Sequence, residues 1–582
     1  MASKINKGEI LAKFFDDGEY TALFADGAVS AACGYAAGQQ AYAVYQNGEA
    51  VTVKDVEKNI KVLEMAAQTG CPVVTFYNSV GAKLAEGLDV LTASAKLNAQ
   101  IAKVSGVIPQ VAVVLGVCGG TSALSAANAD VCIMAEGAEL FFTAPFTSAA
   151  KGDKVADAGT AAAAAKAGVA AIVAPTAEEA AEKAAHIVGL LPANNLTGPA
   201  IFEFEQPTAA LAAGAEPAKA AAAVVDKDSA VELYAGFGKS VYTAFATVGG
   251  NAVGVVATGK TLCHNCVAKA SRFVRLCDAF SVPVITIVDT EGFVPSATDD
   301  IAGGIREAAR LAATYADATT AKVAVLAGKA VGPVYTALAA ADLRIAVAGC
   351  TVSALEPSAA VSVLYKEEID ASDNIIAATN AKAAAYTAEV CSAANAVACG
   401  AADLTCDAAN VRASVVAALE LLSTKRAARL PKKPATWLCN RLYKSFDTIF
   451  DLEDPSMKYY NITVNGVAYS VSVEETAAGA APVAAAAPAA PAAPKAAPAP
   501  AAAPKAAAGA AGAVAVKAPM PGNILDVKVK AGASVKAGDV LVILEAMKME
   551  NEIVAPQDGT VASINVNKGD TVNSGDVLVS MN

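Results

Sequence analysis

The chain has few side chains suited to acid–base or nucleophilic work. It holds only two histidines in 582 residues, His186 and His264. There is no G-x-S-x-G elbow and no phosphate-cradling P-loop, so a His-centred nucleophilic triad has little material. His186 lies in an Ala-rich helical stretch and reads as a surface or packing residue; His264 reads as structural. Cys263-His264-Asn265-Cys266 has a spacing found in zinc sites, but no second CxxC follows, so no metal is expected and the thiols read as a loop pair. What recurs instead is glycine at turns after short apolar runs: Gly81, Gly119 and Gly120 early in the chain, Gly292 and Gly332 later. Glycine lets the backbone approach a ligand closely and aim its N–H groups. Paired N–H groups stabilise an oxyanion, and losing one donor costs about 2.7–4 kcal/mol of transition-state stabilisation. The competing reading is that these glycines only permit tight helix–strand packing. One lysine also stands out: Lys548, between Met547 and Met549 in Glu545-Ala546-Met547-Lys548-Met549-Glu550.

The elements that must position these turns repeat. Residues 111–145 align without a gap onto 323–357, offset by 212, with 11 of 35 positions identical, including Gly116/Gly328, Gly120/Gly332, Asp130/Asp342, Gly137/Gly349 and Pro145/Pro357. Pro72-Val73-Val74-Thr75 echoes Pro283-Val284-Ile285-Thr286, and Gly81 echoes Gly292. In each copy a short apolar run (Val73 to Tyr77, Val284 to Val288) reaches a Gly-containing turn and a helical stretch. A second run (Val111 to Leu115, Val323 to Leu326) then reaches a second Gly-containing turn and an Ala-rich helix. Strand–turn–helix units in this order predict an α/β fold with ligands at the strand ends. Two related domains are expected, 1–225 and 226–450.

Composition marks off the remainder. Residues 457–475 read as a β-hairpin turning at Asn465-Gly466. Residues 476–514 are almost wholly Ala and Pro with a few Lys and Gly. Such a segment cannot bury enough to fold. It reads as a passive spacer or a swinging arm, reaching on the order of 100 Å if extended. Residues 515–582 alternate apolar and polar positions between turn signals, as a small all-β domain does. Gly532 to Val542 recurs as Gly569 to Val579, offset by 37, predicting two half-domains about a pseudo-twofold axis with Lys548 projecting from a tight hairpin.

Charge and hydropathy narrow the class. The net charge of −12 disfavours nucleic acid as a partner. No run of 18 uncharged apolar residues occurs, and no apolar signal core follows Met1-Ala2-Ser3-Lys4, so neither a membrane span nor secretion is expected. Twelve scattered cysteines are too sparse for a disulfide scaffold and fit a reducing cytoplasm.

The segment Glu545 to Glu550, with Pro519-Met520-Pro521-Gly522 before it and Ala555-Pro556-Gln557-Asp558-Gly559 after it, resembles the attachment site of biotin carboxyl carrier proteins. A lipoyl domain shares that fold and is the competing reading; methionine on both sides of the lysine is similar to the biotinyl version. The first 450 residues resemble the carboxyltransferase component of biotin-dependent acyl-CoA carboxylases and decarboxylases. That likeness rests on Gly81-Ala82-Lys83-Leu84-Ala85-Glu86-Gly87, Ser105 to Gln110, Gly116-Val117-Cys118-Gly119-Gly120, Ser271 to Phe280, and Val288 to Pro295. The resemblance implies two crotonase-like (ββα spiral) carboxyltransferase halves plus a small all-β biotinyl domain on an Ala/Pro linker. It implies biotin on Lys548, with Met547 and Met549 beside it.

The expected reaction is carboxyl transfer between an acyl-CoA α-carbon and biotin, which develops one oxyanion on the thioester and one on the ureido oxygen. By this likeness the first-half hole involves Gly119 and Gly120, supported from Gly81 and Ala82, and holds the acyl-CoA. The second involves Val331 and Gly332, supported from Gly292 and Phe293, and receives biotin. Two positions depart from the family pattern: Thr121 and Pro333 each stand where relatives carry glycine, and proline has no N–H to donate. The sequence therefore leaves each donor open by one residue.

No ATP-dependent biotin carboxylase domain fits beside these segments, so a partner is implied. The chain is expected to be the soluble part of a sodium-pumping decarboxylase of malonyl-, methylmalonyl- or glutaconyl-CoA, handing the carboxyl to a membrane subunit. The alternative is a carboxylase of acetyl- or propionyl-CoA loaded by a separate biotin carboxylase; a catalytically inactive carrier scaffold is a third reading. A biotin protein ligase and a homo-oligomer, at least a dimer, are implied as well. The expected location is the cytoplasm, or the inner face of the membrane through a partner.

Overall fold

The computed structural model describes residues 5–152, 154–427, 457–464, 467–474, 514–517, 522–546, 549–566, 568, 570–572 and 576–582. The chain divides into two compact units, Met1–Pro455 and Ser456–Asn582.

The first unit holds two sheets of the same plan. In the first, β1 (Tyr20–Phe24), β2 (Val29–Ala36) and β3 (Gln39–Gln46) are antiparallel. From β3 the order continues in parallel through β4 (Val73–Tyr77), β5 (Gln110–Val114), β7 (Val131–Ala135) and β9 (Ile172–Ala174). A short side pair joins β6 (Val117–Gly119) to β8 (Glu139–Phe141). Every residue of β4, β5 and β7 is buried, as unbroken apolar strands are when helices cover both faces of a parallel sheet. Helices Val53–Thr69 and Leu88–Val104 are the crossovers on either side of β4. The former starts with a capping box between Thr52 and Asp55 and stops at Gly70, whose φ of 68° suits a residue without Cβ.

The second sheet follows suit. Strands β10 (Val231–Glu232), β11 (Val241–Val248) and β12 (Asn251–Thr258) are antiparallel. From β12 the sheet runs in parallel through β13 (Val284–Thr290), β14 (Lys322–Val331), β15 (Leu343–Val347) and β17 (Leu404–Cys406), and β16 (Thr351–Ser353) pairs with the end of β14. The repeated aspartates gain a structural meaning. The Asp130 carboxylate accepts the Gln110 N–H at 2.9 Å and the Asp342 carboxylate accepts the Lys322 N–H at 2.8 Å, so each fixes the start of the neighbouring strand. One apolar cluster spans both halves, from Phe76 and Val113 to Phe245, Phe273 and Leu326.

Residues 211–225, which the sequence reading assigns to the first half, pack on the second. Leu211, Ala221, Val224 and Val225 cover the face of β11 to β15 that presents Val255, Ile285 and Val325. Asp226 anchors this segment. Its buried carboxylate accepts the Thr247 hydroxyl at 2.6 Å and the amides of Gly249 and Gly250 at 3.0 and 2.9 Å, and pairs with Arg412.

In the second unit, strands Met457–Val464 and Val467–Glu474 form an antiparallel pair in the register Val464↔Val467; Asn465 and Gly466 lie outside the described residues, as do 476–513 of the expected linker. The remainder is two four-stranded antiparallel sheets. One runs Val514–Lys517, Val577–Met581, Gly559–Ile564, Ser534–Val535; the other Met549–Val554, Val540–Ala546, Gly522–Val527, Thr571–Val572. Moving along the chain by the 37-residue repeat carries each sheet onto the other. Buried residues follow the shift: Ile524/Val561, Val535/Val572, Leu541/Leu578 and Leu544/Met581. The expected α/β halves and small all-β domain are thus the observed architecture.

Burial pushes the Asp226 carboxyl up, but bonds from Thr247, Gly250, Arg412 and Gly249 outweigh it and hold the group below its ordinary value. A depressed carboxyl stabilises the fold above its unfolded value of about 4 and loses that contribution as pH falls through the folded value. Asp226→Ala is expected to lower stability by about 3 kcal/mol at pH 7, because Arg412 loses its buried partner. In urea unfolding followed across pH, the gap between wild type and variant should close below about pH 4.

Candidate active site

The residue after β4 that matters most is Ser79. Its hydroxyl donates to the Glu49 carbonyl at 2.8 Å and accepts the Gly81 N–H at 3.1 Å, so the Gly81 amide is committed inside the turn. Gly81 has φ of 108°, which favours glycine. The Gly81 carbonyl then accepts the Val51 N–H at 2.9 Å, and the Lys83 N–H donates to the Val51 carbonyl at 2.9 Å. This is a one-residue parallel bridge, Val51↔Ala82. Both flanking groups face Val51, so by backbone alternation the Ala82 N–H points away, and it has no hydrogen-bond partner among the described residues.

The second half repeats this device 211 residues later. The Thr290 hydroxyl donates to the Lys260 carbonyl at 3.1 Å and accepts the Gly292 N–H at 3.3 Å. Leu262 N–H donates to Gly292 and Val294 N–H donates to Leu262, each at 3.0 Å, around the bridge Leu262↔Phe293. The amide left over is that of Phe293.

At the second turn of each half, two of the expected donor amides bond within the fold. Gly120 donates its N–H to the Phe141 carbonyl at 2.9 Å, and Gly332 donates to Ser353 at 2.8 Å. Neither amide is available to an oxyanion. Both residues sit at positive φ with extended, negative ψ (60°, −125° and 63°, −139°), a conformation that suits glycine alone. Their glycines serve backbone shape. Gly119 is required for fit: a Cβ there would lie 2.8 Å from the Phe141 ring. Alternation turns the Gly119 N–H to the side opposite β8. Val331 is likewise turned from β16 toward β13, where Ala330 is in register with Thr290. A Cβ on Gly292 would be 4.0 Å from the Val331 carbonyl, so these two turns meet.

The residue after Gly120 or Gly332 decides what each half offers. Thr121 opens helix Thr121–Ala127, and its N–H has no partner among the described residues. Thr121 and Ala82 line one cavity of about 30 Å³, with Ser122, Asp55 and Asn59. Burial pushes the Asp55 carboxyl up, but hydrogen bonds from Thr52 and Lys58 outweigh it and hold the group below its ordinary value, and the buried Asn59 Oδ1 has no partner among the described residues. In the second half Pro333 opens the matching helix, where the missing N–H costs the helix nothing but removes the donor. The rims differ too: exposed Val80 and Leu84 flank the first turn, whereas Lys329 pairs with Glu291 and Glu356 at the second.

Of the remaining residues, Met547 and Lys548 lie outside the described residues. The strands around them pair in the register Ala546↔Met549, which leaves two residues to close the hairpin. A primary amine between such strands fits covalent attachment of biotin through an amide. His264 Nδ1 is 2.6 Å from the Asp299 carboxylate, and His186 lies on the exposed side of helix Ala177–Leu190. Ser79 and Thr290 were not singled out from the sequence. The available signal was a hydroxyl residue two positions before each turn glycine at the same 211-residue offset.

The chain matches the family model of the carboxyl transferase domain over residues 8–436 and that of the biotin-requiring enzyme domain over residues 514–581. It is 31% identical over 407 residues to the methylmalonyl-CoA carboxyltransferase 12S subunit of Propionibacterium freudenreichii subsp. shermanii, covering 66% of this chain and 78% of that one. It is 29% identical over 479 residues to the methylmalonyl-CoA decarboxylase subunit alpha of Veillonella parvula, covering 74% of this chain and 92% of that one. With the propionyl-CoA carboxylase beta chain of Saccharopolyspora erythraea it shares 30% over 415 residues, 65% of this chain and 76% of that one. The transcarboxylase 12S crystal structure, a hexamer assembly with methylmalonyl-coenzyme A and methylmalonic acid bound, superposes with a TM-score of 0.70 at 28% identity, over 74% of this chain and 92% of that one.

Gly120 and Gly137 separate shape from space, since a Cβ meets nothing within 4 Å at either and only Gly120 has positive φ. Gly120→Ala is expected to lower stability by about 1–3 kcal/mol through backbone strain. Gly137→Ala should be neutral or stabilising by about 0.4–1 kcal/mol. Thermal and urea unfolding of the two variants side by side check this.

Proposed function

The chain belongs to the carboxyl transferase family and is a biotin-dependent acyl-CoA carboxyltransferase, and from that premise we propose that it takes the carboxyl group of a methylmalonyl-CoA-class thioester onto biotin held by Lys548, as the soluble component of a sodium-pumping decarboxylase. The observation that carries this reading is that Ala82 and Thr121, whose amides have no partner among the described residues, both line one cavity of the first half. As the carboxyl leaves the α-carbon, charge moves to the thioester oxygen. Two N–H groups held by backbone geometry stabilise that oxygen without reorganising. The Phe293 amide faces out at the matching turn of the second half and serves a second charged oxygen. Biotin supplies a ureido nitrogen that accepts the carboxyl and a ureido oxygen on which charge develops. Lys548 and its methionine neighbours Met547 and Met549 are the segment a biotin protein ligase recognises.

The sodium-pumping role draws support from the decarboxylase alpha subunits among the relatives. A second reading, a propionyl-CoA-class carboxylase loaded by a separate ATP-dependent biotin carboxylase, draws support from the carboxylase beta chains. No helix among the described residues is long and apolar enough to cross a membrane, so contact with one would run through a partner subunit. We infer a homo-oligomer, at least a dimer. Leu84 and Leu88 beside the first turn and Ile301 and Ile305 beside the second are 69–89% exposed, an apolar surface suited to a second copy.

Carboxyl-labelled methylmalonyl-CoA incubated with the biotinylated chain alone should leave label on the chain, and none on Lys548→Ala, which should still bind the thioester. Absence of label with every candidate thioester would favour the inactive scaffold. Thr121→Pro copies the second half at the first. It should reduce transfer by about 10²–10³-fold, as loss of one oxyanion donor does, while biotinylation and stability hold. An unchanged rate would remove Thr121 from the site. Capture of the native complex through biotin separates the two partners: a multi-spanning membrane subunit with sodium-dependent decarboxylation, or a biotin carboxylase with ATP-dependent carboxylation.

A further inference from the structure

A cluster of reactive side chains lies beside the second turn and has no part in the carboxyl transfer described above. Cys263 occupies the N-cap of helix His264–Ala279, the crossover between parallel strands β12 and β13. Cys266 lies one turn inside that helix and is buried, and the two sulfurs are 3.0 Å apart. Cys263 is partly exposed. No other pair of cysteine sulfurs is in hydrogen-bond contact among the described residues. His264 is fixed beside them by Asp299, whose carboxylate takes the His264 N–H at 3.2 Å and Nδ1 at 2.6 Å.

The pair is chemically unequal. The bond from the Cys266 thiol is the largest influence holding Cys263 down to about 6; burial opposes it, while the amides of Cys266 and Asn265 and the nearby His264 assist. The Cys266 thiol is pushed up by its bond to Cys263 and by burial. Burial raises the thiols of Cys118, Cys132 and Cys277 as well. Among the described cysteines, Cys263 thus combines access, a helix N-terminus and a second thiol in contact. That combination, at the start of a βαβ crossover helix, is what thiol–disulfide exchange requires.

We propose that Cys263 and Cys266 form a reversible thiol–disulfide exchange site, with Cys263 as the attacking thiolate, Cys266 as the resolving thiol and a low-molecular-weight disulfide as the oxidant. In the first step the Cys263 thiolate attacks one sulfur of the oxidant RS–SR, the S–S bond breaks, and Cys263–S–S–R forms with release of RS⁻. In the second, Cys266 loses its proton to solvent and attacks the Cys263 sulfur, closing Cys263–Cys266 and releasing a second RS⁻. The dithiol is oxidised by two electrons and one external disulfide is reduced to two thiols. Excess thiol reverses both steps. Leu262, adjacent to Cys263, forms the bridge to Phe293, so the exchange occurs against the turn of the second half.

The test uses the full chain, reduced, exposed to oxidised glutathione, quenched in acid and alkylated. Trypsin releases Thr261–Lys269 with both thiols in one peptide. The expected result is that this peptide becomes two hydrogens lighter, at least about tenfold faster than the exposed Cys399 takes up glutathione, as the thiolate fraction dictates. Cys266→Ser should arrest the reaction as a glutathione adduct on Cys263, and Cys263→Ser should yield neither product. Oxidation no faster than uptake by Cys399 in the unmodified chain would overturn the proposal, without reliance on any variant. So would a Cys266→Ser chain that carries no adduct on Cys263. Both readouts are independent of carboxyl transfer.

Discussion

A parallel bridge one residue long decides which amide in each half is left over. When Gly81 accepts from Val51 and Lys83 donates back to it, the Ala82 N–H is left with no hydrogen-bond partner among the described residues. The same holds for Leu262 and Phe293. The bridge depends in turn on a hydroxyl, Ser79 or Thr290, that ties the glycine amide into the turn and the turn to the preceding loop. These are local hydrogen bonds at the end of a strand that is wholly buried in the first half and buried but for Asp289 in the second. They are rigid because the strand is rigid, and a preorganised amide is one whose direction needs no adjustment when charge appears. The helices, the repeated aspartates and the common apolar cluster serve to hold two such strand ends in fixed relation.

The two halves share a plan and differ in what they present. One residue makes much of the difference. Thr121 opens its helix with an N–H that has no partner among the described residues; Pro333 opens the corresponding helix without an N–H. In the first half the two residues with leftover amides line one cavity, and in the second Phe293 lies near the paired charges of Lys329, Glu291 and Glu356. A duplicated fold with unequal donors suits two oxygens of unequal character, one of which must be gripped through bond breaking.

Much of this was legible in the residues. The 212-residue repeat gave the paired sheets, and the 37-residue repeat gave the two sheets of the small domain position by position. The turn glycines were legible as turns, because positive φ leaves a compositional mark. Which amides are left over is not legible: the Gly120 and Gly332 N–H groups go to Phe141 and Ser353. Residue type records that a backbone needs an unusual φ, but not which way the N–H of that residue points, because alternation along a strand is set by the partner strand. Ser79 and Thr290 were hidden for a related reason: a serine or threonine bonding to its own turn looks like any other loop hydroxyl. The placement of 211–225 on the second sheet followed from packing on Val255, Ile285 and Val325, which no local pattern announces.

The symmetry of the small domain has a mechanical corollary. Shifting by 37 residues carries the pair Leu544↔Asn551 onto Met581↔Val514. What is a closed hairpin in one sheet is, in the other, the place where the chain enters at Val514. Tension arriving along the chain at Val514 therefore pulls on one sheet, while the Ala546↔Met549 pairing belongs to the other. It crosses between them through interlocked Leu, Val, Ile and Met side chains, or along the strands themselves, before reaching that hairpin.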